Sequence, residues 1–501
     1  MRVYLRMTIT KGGICRFMDK QKKSLTVNSI MNTLKTLMSL IFPLITYPYA
    51  LRVLGVDNIG RANFANSIVS YFVLLAGLGI NRYAIREGAR KRDNAKEFCH
   101  FANQMFTINL ISTIIAYFLL ACLVVYSKKI GEYATLIFVY SLTIFGTTMG
   151  MDWINSAQEE YIFITIRTVL FQFVSMILLF ILVKNEQDIT KYAIVSVFAS
   201  VGANVCNFFY VRKYADVKLC FRGITHHIAP IMWLFASAVA TTIYVNSDTT
   251  MLGLFSSDYN VGLYGVATKL YTIVKQILAA AIVVTLPRLS NYWAHGLTNE
   301  FKKTVSGVFD TFMILLFPMM TGMFILAPQA IEIIGGNQYL EGVSALRILS
   351  ISLCFSIFGT FYTNSILLPM KKEKEVTLIM LMSAVINLGL NFIFIPLYKQ
   401  NGAAFTTAIA EFCVMIMQMY VVRGMNIVEH KRKLLFQVVI GCMVMGTAVF
   451  VVSMAIHSAF WGAGCATICG IFVYCLCLLV MKNEFACSVK DALLKRTHRG
   501  V

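Results

Sequence analysis

The amino-acid sequence predicts an all-α integral membrane protein of about 14 transmembrane helices, built as two parallel six-helix lobes plus two C-terminal helices. Three observations predict it. Of 501 residues, 58% are hydrophobic and 14% charged, where a soluble domain carries about a quarter charged. The apolar residues gather into runs that reach the roughly 18 needed to cross a ~30 Å hydrocarbon core. Lys and Arg concentrate in every second connection, the pattern of a chain held in one orientation by its cytoplasmic charge.

The elements follow in order. A basic segment, 1–27, carries Arg2, Arg6, Lys11, Arg16, Lys20, Lys22 and Lys23 with no apolar core of signal-peptide type. Met18 begins a compact basic leader, MDKQKKSL, so residues 1–17 read as an upstream extension, which N-terminal sequencing would check. The N-lobe, 28–214, holds apolar runs at 29–54, 64–85, 101–126, 132–153, 161–183 and 189–211. The C-lobe, 215–425, holds them at 230–255, 262–287, 305–328, 343–369, 376–397 and 402–422. Two extra spans, 434–456 and 459–481, precede a basic tail, 482–501. All are expected as helices, because backbone polar groups in lipid must be satisfied within the segment. The connections are too short to hold a folded soluble domain.

With the N-terminus inside, the inner connections hold Arg82, Arg86, Arg90, Lys91 and Arg92, then Arg212, Lys213, Lys218 and Arg222, then Arg288, Lys302 and Lys303. Lys371, Lys372 and Lys374 follow, then Arg423, Lys431, Arg432 and Lys433, and finally the tail. The outer connections hold only Arg52, Arg61, Lys128, Lys129, Lys184, Lys191 and Lys399. Both termini are therefore expected in the cytoplasm, and one dropped span would destroy the bias. The net charge of +20 is explained by this topology, so nucleic acid is not an expected partner. The thirteen cysteines are scattered, several within apolar runs, and have no zinc spacing. Neither a metal nor an organic cofactor is expected.

Internal repetition supports the two-lobe reading. Leu54-Gly55-Val56-Asp57-Asn58-Ile59-Gly60 ends the first span; Leu252-Gly253, with Asp258-Tyr259-Asn260-Val261-Gly262 after it, ends the seventh. Tyr210-Val211-Arg212 closes the sixth and Tyr420-Val421-Val422-Arg423 the twelfth. An even number of spans per unit makes the repeats parallel. Such repeats suit a transporter with substrate bound between lobes near the membrane middle.

Ionisable residues within spans mark such a site, and here cations dominate. Lys35, Lys269 and Lys275 come from opposite lobes, with Arg52 and Arg61 near the outer mouth. Tyr264, Tyr271 and Lys275 share one helical face. A cationic cavity with aromatic walls suits an anionic headgroup carrying sugars. Snorkelling to an interface is the alternative for the lysines. Asp248 and Glu411 read either as partners of a lysine or as the site of a coupling ion, H+ or Na+. The acidic connection around Asp152, Glu159 and Arg167 is a candidate cytoplasmic gate against Arg82, Arg86 or Arg90; a solvated charged turn is the other reading. His226 and His227 are expected to be solvated.

The residues also carry a family resemblance. Phe42-Pro43-Leu44-Ile45-Thr46-Tyr47-Pro48-Tyr49, Arg52-Val53-Leu54-Gly55, Asn63-Phe64-Ala65 and the glycines at 77 and 79 resemble the start of Wzx-type flippases of O-antigen or capsular repeat units. Asp152-Trp153, Glu159-x-Tyr161 and Ile164-Thr165-Ile166-Arg167 look like that family's central motif, although Ala157-Gln158 departs from it. Asp248-x-x-Met251-Leu252-Gly253, Gly262-x-Tyr264 and Leu286-Pro287-Arg288-Leu289-Ser290 extend the match to the C-lobe. The resemblance covers roughly residues 24–480.

It implies the multidrug/oligosaccharidyl-lipid/polysaccharide exporter fold and a bacterial inner (cytoplasmic) membrane protein. The implied activity is flipping of undecaprenyl-pyrophosphate-linked oligosaccharide to the periplasmic leaflet by alternating access, with a polysaccharide polymerase as a possible neighbour. On that reading Lys35 and Lys275 hold the anion, Arg52 and Arg61 receive it, and Asp248 couples an ion gradient. A multidrug-extrusion antiporter or a lipid II flippase are the alternatives within transporters. A membrane polymerase or glycosyltransferase is the rival from another class. Against it, the longest outer connection, 328–342, is short and carries only Glu332 and Glu341 as acids.

Overall fold

A computed structural model describes residues 5–10, 13–18, 25–425, 427, 432–456, 458–483 and 486–487. Most of the basic leader and nearly all of the C-terminal tail lie outside the described residues. Two short antiparallel strands, β1 (Leu5–Thr10) and β2 (Gly13–Met18), pair near the N-terminus. All other regular structure is helical. Among the described residues, eleven helical segments are long and apolar enough to cross a membrane by length and composition.

The first compact unit is Met1–Leu254. It contains α1 (Leu25–Gly77), α2 (Ile80–Lys91), α3 (Ala95–Tyr126), α4 (Lys128–Gly131), α5 (Ala134–Gly150), α6 (Asp152–Ala157), α7 (Tyr161–Leu182), α8 (Ile189–Val211) and nearly all of α9 (Thr225–Phe255). α1 is two apolar runs joined by a sharp break at Gly55, whose φ of 76° falls where only glycine is unstrained. Its prolines, Pro43 and Pro48, are tolerated as membrane-helix prolines often are. α2 is amphipathic and turns Ile80, Tyr83 and Ala84 inward while Arg82, Arg86 and Arg90 face out.

The repeat reading begins a second lobe at 215, but the compact division falls some forty residues later, at Leu254. α9 explains the shift, because it is fastened to the first unit along its length. Thr250 Oγ1 lies 2.9 Å from Ser67 Oγ and 3.1 Å from Tyr71 Oη. His227 reaches Tyr83.

The second unit is Phe255–Val501. It contains α10 (Asp258–Val283), α11 (Leu286–Ala294), α12 (Thr298–Ile325), α13 (Ala327–Gly335), α14 (Val343–Phe361), α15 (Glu373–Val422), α16 (Arg432–Ala455) and α17 (Ala459–Val480). α14 packs on α10, α12 and α15, and α16 packs on α12 and α17. α15 breaks at Lys399 and folds back on itself. The hairpin is closed by polar contacts buried in the packing: Thr406 Oγ1 donates to Asn391 Oδ1, whose amide donates to Asn387 Oδ1 at 3.2 Å.

Candidate functional site

Two polar constellations stand inside the helical packing, one per unit. In the second unit, Lys275 on α10 and Glu411 on α15 form an ion pair, Nζ to Oε1, at 2.8 Å. The Ser356 hydroxyl of α14 donates to the same oxygen at 2.9 Å, and the Tyr271 hydroxyl does so at 3.4 Å. The Lys275 ammonium also stands 5.6 Å from the centre of the Tyr271 ring. The Glu411 side chain is 7% exposed and that of Lys275 30%, so the lysine is the open end of the pair. Sequence reasoning read Lys275 as a substrate contact and Glu411 either as a lysine's partner or as a coupling site, without saying which lysine it would meet. The fold joins them, because positions 275 and 411 come level on neighbouring helices.

Tyr264 and Tyr271 are both buried, and Tyr264 Oη lies 3.3 Å from Thr407 Oγ1. Their rings therefore present no open face to stack on a sugar. Lys269 is half-buried on the same helix, off that face. In the first unit, Lys35 is half-exposed on α1 and has no partner among the described residues. Arg52 is exposed near the break in α1, and Arg61 is exposed with its guanidinium 5.8 Å from the Tyr133 ring. Asp248 is 6% exposed on α9.

The other constellation centres on Asp152 and Arg167. Arg167 is 5% exposed on α7, and its Nη2 donates to Asp152 Oδ1 at 2.7 Å. Asn207 of α8 donates to the same carboxylate oxygen at 3.0 Å and to the Gly150 carbonyl. Asn155 donates to Asn207 Oδ1 at 2.5 Å. The pair thus clamps α6 between α7 and α8. Arg82 and Arg86, the expected partners of this acidic connection, do not reach it. Arg82 is exposed, and Arg86 meets Glu87 of its own helix at 3.3 Å. Glu159 is instead bound by Arg92 at 2.5 Å. The reason is reach: α2 turns its arginine face outward, whereas Arg92 follows the helix end and points back toward the turn after α6.

Nearby, Glu160 accepts from the Tyr214 hydroxyl and from Lys213 at 3.3 Å. Burial, and then that carboxylate, push the Tyr214 phenol well above its ordinary value. His227 also departs from expectation: it is half-buried rather than solvated. Gln104 Nε2 donates to the Arg222 carbonyl at 2.8 Å, so its Oε1 accepts from His227 Nε2 at 3.0 Å. That leaves Nδ1 to accept from the Tyr83 hydroxyl at 2.7 Å. Asn207, Arg92 and His227 were missed by sequence reasoning. An asparagine within an apolar run was the one available signal, for Asn207.

The sequence pattern of polysaccharide biosynthesis proteins matches residues 25–293. The chain belongs to that family. The Wzx-type resemblance of the motifs is borne out by this match. Among relatives of this family member, a candidate O-antigen transporter of Shigella dysenteriae is 24% identical over 397 residues, 76% of this chain and 96% of that protein. The capsular polysaccharide biosynthesis protein CapF of Staphylococcus aureus is 22% identical over 374 residues, covering 73% and 90%. Among solved structures, a lipid II flippase, MurJ, in an inward closed conformation aligns with TM-score 0.73 at 17% identity. The alignment covers 93% of this chain and 99% of that one. At that identity the likeness shows the fold: this is a multi-pass membrane protein of transporter architecture.

Proposed function

We propose that this family member is a flippase that carries undecaprenyl-pyrophosphate-linked oligosaccharide from the cytoplasmic to the periplasmic leaflet of a bacterial inner membrane, by alternating access. The breaks at Gly55 and Lys399 let the two longest helices each cross twice, and α10 crosses despite its lysines. Fourteen crossings then return both ends to the cytoplasm, in keeping with the positive-inside pattern.

The observation that carries the reading is the cation on membrane-spanning helices, Lys275 held by Glu411 at 2.8 Å. A lysine so placed is an exchangeable donor. A pyrophosphate oxygen arriving from the exposed side takes over the ammonium as a charge-assisted partner. Glu411 meanwhile keeps the Ser356 and Tyr271 hydroxyls as donors. Departure of the anion returns Lys275 to Glu411 and resets the site. Lys35 is the second candidate anion contact. The glycan crosses with the pyrophosphate while the polyprenyl tail stays in lipid.

A drug pump for organic cations would need net acidity at this place, and the lysine excess opposes it. Transport without covalent chemistry fits the relatives' descriptions as transporters. The test is transbilayer movement of a lipid-pyrophosphate oligosaccharide in proteoliposomes, read with an impermeant glycosidase. Wild type is expected to translocate and Lys275→Ala to lose at least about tenfold, the effect of one charge-assisted contact. Absence of translocation with several glycans, under proton and sodium gradients alike, overturns the reading.

A further inference from the structure

Where α10 gives way to α11, a cavity of about 430 Å³ opens between α10, α11 and α12. Its depth is apolar, with Ile282 and Phe312 buried and Val308 beside them. Its rim is polar and mostly cationic: Arg288 from α11 and Lys303 from α12, with Glu300 as the one acid in the lining. Residues 300, 303, 304, 307, 308 and 311 recur at helical spacing, so one face of α12 forms a whole wall. Gly307 lies in the middle of that wall, and a Cβ built there meets nothing within 4 Å.

Both cations are free to bind. Arg288 and Lys303 are exposed, and no acid lies within 4 Å of either among the described residues. Arg288 Nε donates to the Tyr292 hydroxyl at 2.8 Å, which orients the guanidinium and leaves its outer nitrogens open. α11 itself is built for a membrane surface. Leu286, Leu289 and Trp293 share one face, Leu289 is buried, and the Trp293 ring lies 5.3 Å from Phe301. Tryptophan is enriched at membrane–water interfaces. A soluble anion would use the rim and leave the apolar depth idle; an amphiphile uses both.

We propose that this cavity binds an anionic membrane phospholipid. Arg288 and Lys303 take the phosphate, Thr285 and Thr304 face the glycerol, and the first part of an acyl chain lies on Ile282, Val308 and Phe312. The site is independent of the glycan carried and does not involve Lys275 or Glu411.

The experiment is native mass spectrometry of the full chain, released from bilayers of phosphatidylglycerol and phosphatidylcholine. Wild type retains phosphatidylglycerol in preference to phosphatidylcholine. Arg288→Gln/Lys303→Gln loses roughly fivefold of that preference per cation removed, the worth of one basic residue at an anionic surface. Gly307→Leu fills the cavity without changing charge and also lowers retention. Lys302→Gln removes an equal charge from off the cavity face and leaves the preference unchanged, and Arg288→Lys/Lys303→Arg keeps it. The proposal is overturned if the double glutamine variant matches Lys302→Gln, if Gly307→Leu binds like wild type, or if millimolar inorganic phosphate displaces the lipid. Monodisperse gel filtration of each variant separates these outcomes from misfolding.

Discussion

Replacing Lys275 by Met removes the ammonium that meets Glu411 at 2.8 Å. The Glu411 side chain, 7% exposed, then keeps only the Ser356 and Tyr271 hydroxyls. Breaking a buried ion pair from one side costs about 3–5 kcal/mol. The expected loss of stability for Lys275→Met is therefore about 3–5 kcal/mol. Glu411→Gln is milder, about 1 kcal/mol, because the lysine is 30% exposed and its ammonium can reach water along its stem. Lys275→Met/Glu411→Gln removes both charges and recovers about 2 kcal/mol relative to the sum of the single losses. The assay is a denaturant or detergent unfolding titration of the purified chain. Losses additive within about 0.5 kcal/mol, or a Lys275→Met loss no larger than that of Glu411→Gln, would refute the reasoning.

The Asp152–Arg167 pair predicts the opposite asymmetry. The Arg167 side chain is 4% exposed and that of Asp152 36%, so Asp152→Ala strands a buried guanidinium and costs about 3–5 kcal/mol. Arg167→Met leaves a carboxylate that water and Asn207 still satisfy, at about 1–2 kcal/mol; unfolding titrations of both variants check the order. A Cβ on Gly253 would lie 2.0 Å from the Phe64 ring, so Gly253→Ala is expected to destabilise by about 1–3 kcal/mol through overpacking. Phe64→Leu in the same chain should recover much of that loss in a melting measurement. Asp188 is bound by Lys191 at 2.7 Å and by the backbone N–H groups of Lys184 and Asn185, contacts that, Lys191 first, pull its carboxyl down to about 2. Its contribution is thus complete above the ordinary carboxyl range near pH 4 and is lost as pH falls through about 2. The melting difference between wild type and Asp188→Asn should stay constant from pH 8 to 5 and close toward pH 2.

Much of the fold was legible because membrane insertion imposes strong one-dimensional rules. Apolar run length marks the spans, and the break at Gly55 falls in the polar turn read between the first two runs. The chemistry was legible only in part. Lys275 and Glu411 stood out as ionisable residues in apolar text, yet nothing local says that they meet. Their separation in sequence is 136 residues, and the contact depends on how α10, α14 and α15 rotate and slide against each other. The contacts expected of the acidic connection differ for a similar reason. A basic helix beside an acidic turn reads as complementary, but α2 buries Tyr83 and Ala84 and so turns Arg82 and Arg86 away. His227 read as solvated because it lies in an inner connection, whereas Tyr83 and Gln104 arrive from elsewhere in the chain.

By itself, then, the sequence determined the class of molecule: a multi-pass helical membrane protein with family motifs and cations in its spans. These properties follow from the cost of placing unsatisfied backbone and bare charge in hydrocarbon, which each segment must answer locally. Tertiary structure alone decided which charges are paired, which tyrosines are buried, and where a cationic rim lies over an apolar cavity. Those outcomes depend on distances between segments far apart in the chain, and such distances are set by side-chain packing rather than by any one stretch of residues.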